Sequence, residues 1–143
     1  MSTEKALIDA VMQVYQSKGV GKFFSINFLE EADDEFVFEV YFPPDCLNPQ
    51  GNIQGGMIAS VLDDCTALCV LFSTKGKRFP NSTDFHTTYH RPLSLEPAII
   101  KASILKMGKN IVSVEGKVFK EKNKLVASCL HTGFLFDTNT MNN

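Results

Sequence analysis

Apolar residues recur at helical spacing near the start of the chain. Between residues 3 and 18, Leu7, Val11 and Val14 lie on one helical face, and Gly19 follows. Apolar positions three or four residues apart indicate an amphipathic helix, and glycine is a common residue just after a helix end. We therefore predict an N-terminal helix over about residues 3–18 that ends at Gly19.

Two strand-like segments come next. Residues 23–30 and 35–42 are rich in aromatic and β-branched side chains, and a polar break at residues 31–34 separates them. Such a pattern is typical of a β-hairpin. Pro43 and Pro44 then end the second segment, because proline has no amide donor for a strand ladder.

A long apolar segment follows a loop rich in Pro, Asn and Gly. Its apolar residues recur at helical spacing and cover more than half of the circumference: Met57, Ile58, Val61, Leu62, Cys65, Leu68, Cys69 and Phe72. A helix that is apolar nearly all round is buried nearly all round. A membrane span is disfavoured, because Asp63 and Asp64 would each cost roughly 2.5–3.5 kcal/mol at a bilayer centre. We predict a buried central helix over about residues 55–73.

Four further strand-like segments complete the pattern, at about residues 81–91, 97–106, 110–120 and 124–136. A helix of about 18 residues spans roughly 27 Å and a strand of about ten residues roughly 33 Å, so one antiparallel sheet can curl around one helix. We predict an α+β fold in a single domain, residues 1–143, with five or six strands around the central helix and an extra N-terminal helix.

Composition narrows the possible functions. The 143 residues include 14 Lys and Arg against 16 Asp and Glu, without a basic cluster, which argues against nucleic-acid binding. The four cysteines form no CxxC pair, and the first residues have no apolar segment typical of a secretory signal. We expect reduced thiols in a cytoplasmic protein that binds neither nucleic acid nor membrane.

The loop before the central helix has the most informative composition, with Asn48, Gln54, Gly55 and Gly56. Glycines let the backbone approach a ligand closely, and the first N–H groups of a helix lack intrahelical partners and carry partial positive charge. Such a helix start can hold a carbonyl oxygen that becomes an oxyanion. The alternative is that both glycines only permit a tight turn and close packing.

Asp63 and Asp64 interrupt the apolar central helix. Carboxylates are rarely buried without a partner or a role, so at least one of them must reach a cleft or an interface. At 100° per residue, Asp63 shares a face with small residues such as Ser60, Thr66 and Ala67, where a ligand can come near. The alternative is that both acids lie on a polar helix edge.

No metal site is predicted. His86 and His90 have the HxxxH spacing that binds zinc on a helix, but residues four apart on a strand are about 13 Å from each other. His131 supplies no clear third ligand. Ser82 lacks the GxSxG elbow of serine hydrolases, and its plain interpretation is a strand-end hydroxyl.

The motif Asn48-x5-Gln54-Gly55-Gly56-x6-Asp63, on a loop that enters one buried helix, resembles the signature of hotdog-fold acyl-CoA thioesterases of the PaaI-like (phenylacetate-pathway) group. The similarity continues through residues 82–92, a glycine turn at 106–110 and a strand segment at 124–127. It covers about residues 40–136 and implies a hotdog fold.

The resemblance implies hydrolysis of an aryl- or medium/long-chain acyl-CoA, with no cofactor besides the coenzyme A of the substrate. In similar enzymes the N–H matching Gly55 and the side chain matching Asn48 polarise the thioester carbonyl. The aspartate matching Asp63 acts as general base or nucleophile from the partner subunit's side of a shared cleft, in a homodimer or a dimer-of-dimers tetramer. Gly56 matches a substrate-binding position, and Ser82 matches a hydroxyl that helps to place the water.

Position 54 departs from the pattern, because many relatives have His-Gly-Gly where this chain has Gln54-Gly55-Gly56. Glutamine in this substrate-binding position can donate hydrogen bonds but cannot supply a proton as imidazolium can. Gln54 therefore favours an alternative, a hotdog protein that binds acyl-CoA without hydrolysis, whereas Asp63 favours hydrolysis. A third possibility, a 3-hydroxyacyl thioester dehydratase, needs a facing His and acid such as His86 and Asp63, but the spacing does not match that group.

Overall fold

A computed structural model of the protein describes residues 4–140. Three α-helices lie in this range: α1 (Lys5–Ser17), α2 (Gly19–Phe24) and α3 (Gly55–Ser73). Its six strands are β1 (Ile26–Ala32), β2 (Glu35–Val40), β3 (Arg78–Tyr89), β4 (Ala98–Met107), β5 (Ile111–Lys120) and β6 (Lys124–Asp137). The predicted order of helix, hairpin, long helix and four strands is confirmed, with one additional short helix.

The six strands form one antiparallel sheet in the order β1-β2-β4-β5-β6-β3. The hairpin between β1 and β2 turns at Asp33 and Asp34, which both have positive φ, the backbone of the tight turns that suit twisted strands. The sheet curls around α3, which packs against β2 to β6 and also contacts β1 through the rings of Phe72 and Phe28. The predicted α+β architecture, a sheet wrapped around one central helix, is confirmed.

Helix α3 forms the centre of the hydrophobic core, as its apolar circumference predicts. Phe72 is 1% exposed and its ring contacts Phe28, Phe36 and Phe38 on the hairpin. By length and hydropathy alone, the 19 residues of α3 could cross a membrane. The strands around it instead supply apolar partners within the protein, which is the predicted outcome.

The start of the chain differs from the prediction. Residues 23 and 24, predicted to begin a strand, are helical in α2, and Gly19 with φ 67° separates two helices where a single helix end is predicted. The aromatic pair indicates a strand locally, but Phe24 is buried against Phe42 at the end of a helix. Ser25, with φ 52°, then turns the chain into β1. The predicted helix start at residue 3 lies outside the described residues.

Candidate active site

Asn48 organises the loop that precedes α3. Its Oδ1 accepts hydrogen bonds from the backbone N–H groups of Gln50 and Asn52, at 3.0 and 3.1 Å. The backbone amides of Asn48 and Gly51 close the same turn through bonds of 2.8 and 2.9 Å. Because Oδ1 accepts both of these bonds, the turn does not use the side-chain NH₂ of Asn48, which keeps its capacity as a donor.

Gly55 begins α3, with Gln54 as its N-cap. The Gln54 side chain makes no capping bond, so the first helix amides keep their donor capacity. Tyr89 fixes this helix start, because its hydroxyl donates to the Gly55 carbonyl at 2.6 Å. A Cβ on Gly55 would lie 3.1 Å from the Tyr89 ring, which explains glycine at this position. Gly56 and Gln54 are exposed beside it.

A cavity of about 400 Å³ with a mixed polar and apolar lining opens next to this helix start. Asn48 and Gly55 line it together with polar side chains that include Asn52, His90 and Arg91. The Arg91 guanidinium donates to the Leu125 carbonyl at 2.7 Å and remains exposed. The predicted carbonyl-binding residues therefore line one cavity.

A second polar cluster lies two turns further along α3, where Asp63 faces β3 and β6. His131, on β6, is 2% exposed, and its Nε2 lies 2.5 Å from the Ser82 Oγ and 3.8 Å from Asp63 Oδ1. Its Nδ1 lies 2.6 Å from the Thr66 Oγ1, one turn of helix from Asp63. The structure thus brings the predicted residues Asp63 and Ser82 to one buried histidine.

Hydrogen bonds on both sides of the His131 ring select its tautomer. The Thr66 hydroxyl donates to the Leu62 carbonyl at 2.8 Å, so its oxygen accepts from His131 Nδ1–H. With the proton on Nδ1, Nε2 accepts from the Ser82 hydroxyl. Burial lowers the pKa of His131 and outweighs the opposite effect of Asp63, so the ring is neutral at neutral pH.

Sequence reasoning missed His131 as a site residue. It is a single histidine in a strand, 68 positions after Asp63, and only the pairing of β3 with β6 brings it beside Ser82. The signal in the sequence is weak: a histidine among otherwise buried apolar positions of β6, which indicates a polar partner from another element.

Of the two acids on α3, Asp64 is the more enclosed. The Asp63 side chain is 52% exposed in the single chain, whereas the Asp64 carboxylate accepts a short hydrogen bond from the Tyr15 hydroxyl of α1. Burial raises the pKa of Asp64 to about 6, although the Tyr15 hydrogen bond opposes this change. Asp63 is thus open to a ligand, as its small-residue face predicts, and Asp64 holds α1 against α3.

Asp64 makes a testable contribution to the pH dependence of stability. The folded chain binds its proton more tightly than the unfolded chain, so this contribution is full below about pH 4 and is lost as the pH rises through about 6. The pKa difference corresponds to about 3 kcal/mol, which solvent contact reduces to about 2 kcal/mol. The free energy of unfolding of Asp64→Asn, minus that of wild type, should therefore increase by about 2 kcal/mol between pH 4 and pH 7.

Urea unfolding of both proteins at several pH values measures this difference. The titration of buried His131, whose lowered pKa makes stability fall as the pH drops below about 6.5, is common to both proteins and cancels in the comparison. A difference that does not change with pH would contradict the assignment of Asp64 as the titrating group.

The two polar clusters lie apart within one chain. Gly55 and Asp63 are eight residues apart on α3, which corresponds to about 12 Å along the helix axis. Asn48 and Gly55 form one cluster, and Asp63, Ser82 and His131 form the other. The structure therefore groups the predicted catalytic residues into two halves.

Cysteine chemistry does not contribute to either half. All four cysteines are buried free thiols, and burial raises the pKa of Cys69 and Cys129 to about 12. Such thiols stay protonated and are poor nucleophiles. Among residues 4–140, His, Cys, Asp and Glu side chains form no group of three that could hold a metal ion.

Comparisons with known proteins agree with this fold. The sequence profile of the Thioesterase superfamily matches residues 50–127. Human acyl-coenzyme A thioesterase 13 is 28% identical over 113 residues, which are 77% of this chain and 79% of that protein. Zebrafish thioesterase superfamily member 2 has a TM-score of 0.79 at 25% identity, over 90% of this chain and 98% of the other.

The PaaI protein of the E. coli phenylacetic acid degradation operon also shares the fold, with a TM-score of 0.79 at 15% identity, over 94% of this chain and 96% of that chain. The family profile covers more than half of the chain and spans α3 with Gly55 and Asp63, and β3 with Ser82. The predicted PaaI-like resemblance and hotdog fold are confirmed. The chain belongs to the thioesterase superfamily and is a hotdog-fold thioester hydrolase.

Proposed function

We propose that the protein hydrolyses acyl-CoA thioesters at a site that two protomers build together. The division of the site into two halves on one helix carries this proposal. Gly55 and Asn48 form an oxyanion-binding half, and Asp63, Ser82 and His131 form a water-activating half about 12 Å away along α3. Reacting atoms must come within about 3–3.5 Å, so one chain alone cannot use both halves on one thioester.

Strand β3 offers the surface on which a second protomer would pair. It is an edge strand, with β6 on one side and no strand of residues 4–140 on the other. Most residues between positions 81 and 90 are exposed, and an open edge strand of 12 residues invites pairing. Antiparallel pairing of two β3 strands about a two-fold axis would continue the sheet across the dimer.

This pairing would bring the two halves together. Tyr89, at the end of β3, contacts Gly55, whereas Ser82, in the first half of β3, contacts His131. The end of one strand in an antiparallel pair lies beside the start of the other. Gly55 of one protomer would therefore face Ser82 of the partner subunit, and each dimer would have two composite sites. A dimer-of-dimers tetramer would keep the same pair of sites in each dimer.

Each group then has a distinct task in hydrolysis. The Gly55 N–H and the Asn48 side-chain N–H donate to the thioester oxygen and stabilise the negative charge that forms on it. Asp63 of the partner subunit removes a proton from water while the water oxygen attacks the carbonyl carbon. The tetrahedral intermediate expels the CoA sulfur, which takes the proton from Asp63, and the carboxylic acid is released.

Ser82 and His131 would position the attacking water. The Ser82 hydroxyl donates a hydrogen bond to His131 Nε2, so the Ser82 oxygen can still accept one. A water that donates one hydrogen to Ser82 Oγ can direct its other hydrogen to the half-exposed Asp63 carboxylate. Because His131 is neutral, Asp63 keeps its capacity to act as a base instead of forming an ion pair with it. His131 is thus a positioning residue.

The cavity beside Gly55 suits the coenzyme A part of the substrate. Arg91 and His90 are exposed at its rim, where they can meet the charged and polar groups of the coenzyme. The acyl group is of the aryl or the medium/long-chain class, and no further cofactor is required for this chemistry.

We further propose a single domain over residues 1–143 that acts in the cytoplasm. Four free thiols suit this reducing compartment.

Thiol release from a panel of acyl-CoAs tests this function. We expect purified protein to release coenzyme A catalytically from at least one of acetyl-, octanoyl-, palmitoyl- and phenylacetyl-CoA. Calorimetry on the same panel measures binding. Tight binding of an acyl-CoA without release of thiol would contradict hydrolysis and support the alternative, a non-catalytic acyl-CoA-binding protein.

A further inference from the structure

An apolar groove of about 460 Å³ runs between α1 and the second half of α3. Its volume lies in the range of small-molecule sites. Aliphatic side chains and two aromatic residues supply most of its wall: Leu7, Val11, Val14, Tyr15, Leu68, Leu71 and Phe79. Tyr15 and Thr138 are the lining residues with a side-chain hydroxyl, and the wall carries no charged side chain. We call it the α1 groove.

The α1 groove lies on the same elements as the water-activating half of the site. Leu71 follows Asp63 by eight residues on α3, about 12 Å along the axis. Phe79 precedes Ser82 by three residues on β3, about 10 Å. Helix α3 therefore leads from the catalytic cluster towards the groove, and β3 runs beside it with Phe79 and Ser82 on opposite faces of the strand. An extended chain attached to a thioester at Asp63 can follow this direction.

Helix α1 is held over the groove by a specific contact. The Tyr15 hydroxyl is bound to Asp64, the residue next to Asp63, and Tyr15 also lines the groove. On the other side, Leu7 packs close to Gly76. A Cβ added to Gly76 would lie 3.1 Å from a methyl group of Leu7. The groove is thus a defined space between two anchored helices.

The two cavities differ in chemistry in a way that matches the two ends of an acyl-CoA. The cavity beside Gly55 has a mixed lining, in which amide, imidazole and guanidinium groups stand beside apolar side chains such as Ile58 and Leu93, whereas the α1 groove is lined almost entirely by hydrocarbon. In the dimer proposed above, Gly55 of one protomer faces the first half of β3 of its partner, where Phe79 and the groove lie. The polar coenzyme and an apolar acyl chain would therefore each meet a surface of their own kind.

We propose that the α1 groove binds the alkyl chain of the substrate, which makes the enzyme selective for medium- and long-chain aliphatic acyl-CoAs over aryl acyl-CoAs. The inference rests on the proposed function. Burial of each additional methylene in an apolar site increases kcat/KM about fourfold. We expect kcat/KM to rise at this rate with chain length from acetyl-CoA until the groove is filled.

Two alanines on α1 provide a matched test. Ala10 and Ala6 are both exposed, but only Ala10 lines the groove. Tryptophan at position 10 would fill part of the groove, so the ratio of kcat/KM for lauroyl-CoA to that for acetyl-CoA should fall at least about tenfold in Ala10→Trp, the equivalent of two methylenes. In Ala6→Trp this ratio should stay within about twofold of wild type.

The outcomes separate this inference from the proposed function. A wild-type preference for phenylacetyl-CoA over every alkyl substrate, or an unchanged ratio in Ala10→Trp, would overturn the assignment of the groove while hydrolysis itself stands. If wild type releases thiol from no acyl-CoA, the proposed function fails and the inference fails with it. A steep chain-length dependence that only Ala10→Trp flattens supports the inference.

Discussion

Replacement of Asp63 by asparagine is expected to lower kcat for the best acyl-CoA by about 10²- to 10⁴-fold, the usual contribution of a general base. The amide keeps the size of the carboxylate but cannot accept the proton of the attacking water. KM should change little, because the proposed role of Asp63 is to activate the water and not to bind the oxygen of the thioester. Steady-state thiol release measures both constants.

Asp64→Asn is the matched control for this result. The two acids are neighbours on α3, but Asp64 is bound to Tyr15 and directed at α1. Its kcat should stay within a few-fold of wild type. If Asp63→Asn retained activity within a few-fold, or if Asp64→Asn were the inactive variant, the assignment of the base would be wrong.

Replacement of Asn48 by aspartate is expected to lower kcat by about 10²- to 10³-fold, the effect of the loss of one oxyanion donor. Aspartate keeps the Oδ1 acceptor for the amides of Gln50 and Asn52, so the turn should survive. It has no side-chain N–H, and its charge would repel the oxyanion. The thermal midpoint of the variant should therefore stay close to that of wild type while its rate falls.

Asn48→Ala separates the donor from the added charge. Alanine also removes the donor, so its rate should fall by a similar factor, and it additionally loses the two bonds that hold the turn. Both the rate and the thermal midpoint should decrease in this variant. A rate for Asn48→Asp close to wild type would exclude the side chain of Asn48 as an oxyanion donor.

The central helix could be predicted from the sequence because its apolar pattern extends over the whole segment. Apolar residues all round a segment of 19 residues leave burial within a sheet as the consistent arrangement, and α3 spans Gly55–Ser73 as predicted. The strand boundaries could be predicted from the turn-forming residues between the strands. In contrast, the helical state of residues 23 and 24 depends on the contact of Phe24 with Phe42, which local composition does not reveal.

The candidate site could be predicted from the sequence to the extent that its residues lie on one continuous segment. Asn48, Gly55 and Asp63 follow one another on a loop and one helix, so their order and spacing carry the pattern. His131 depends on the register between β3 and β6, which places it two positions along β6 from Gly133, the partner of Ser82. The different environments of Asp63 and Asp64 depend on where α1 packs. Neither feature follows from spacing along the chain.

A mixed dimer tests the central claim, that each site combines the oxyanion-binding half of one protomer with the water-activating half of its partner. Chains carrying Asn48→Asp and chains carrying Asp63→Asn can be co-expressed with different affinity tags, and the mixed dimer purified by both tags. One composite site of this dimer has both substitutions, and the other has neither. We predict that the mixed dimer regains about half of the wild-type kcat, one intact site of two, while each parent variant remains nearly inactive. A mixed dimer no more active than its parents, or a monodisperse monomer with full activity, would contradict the shared site.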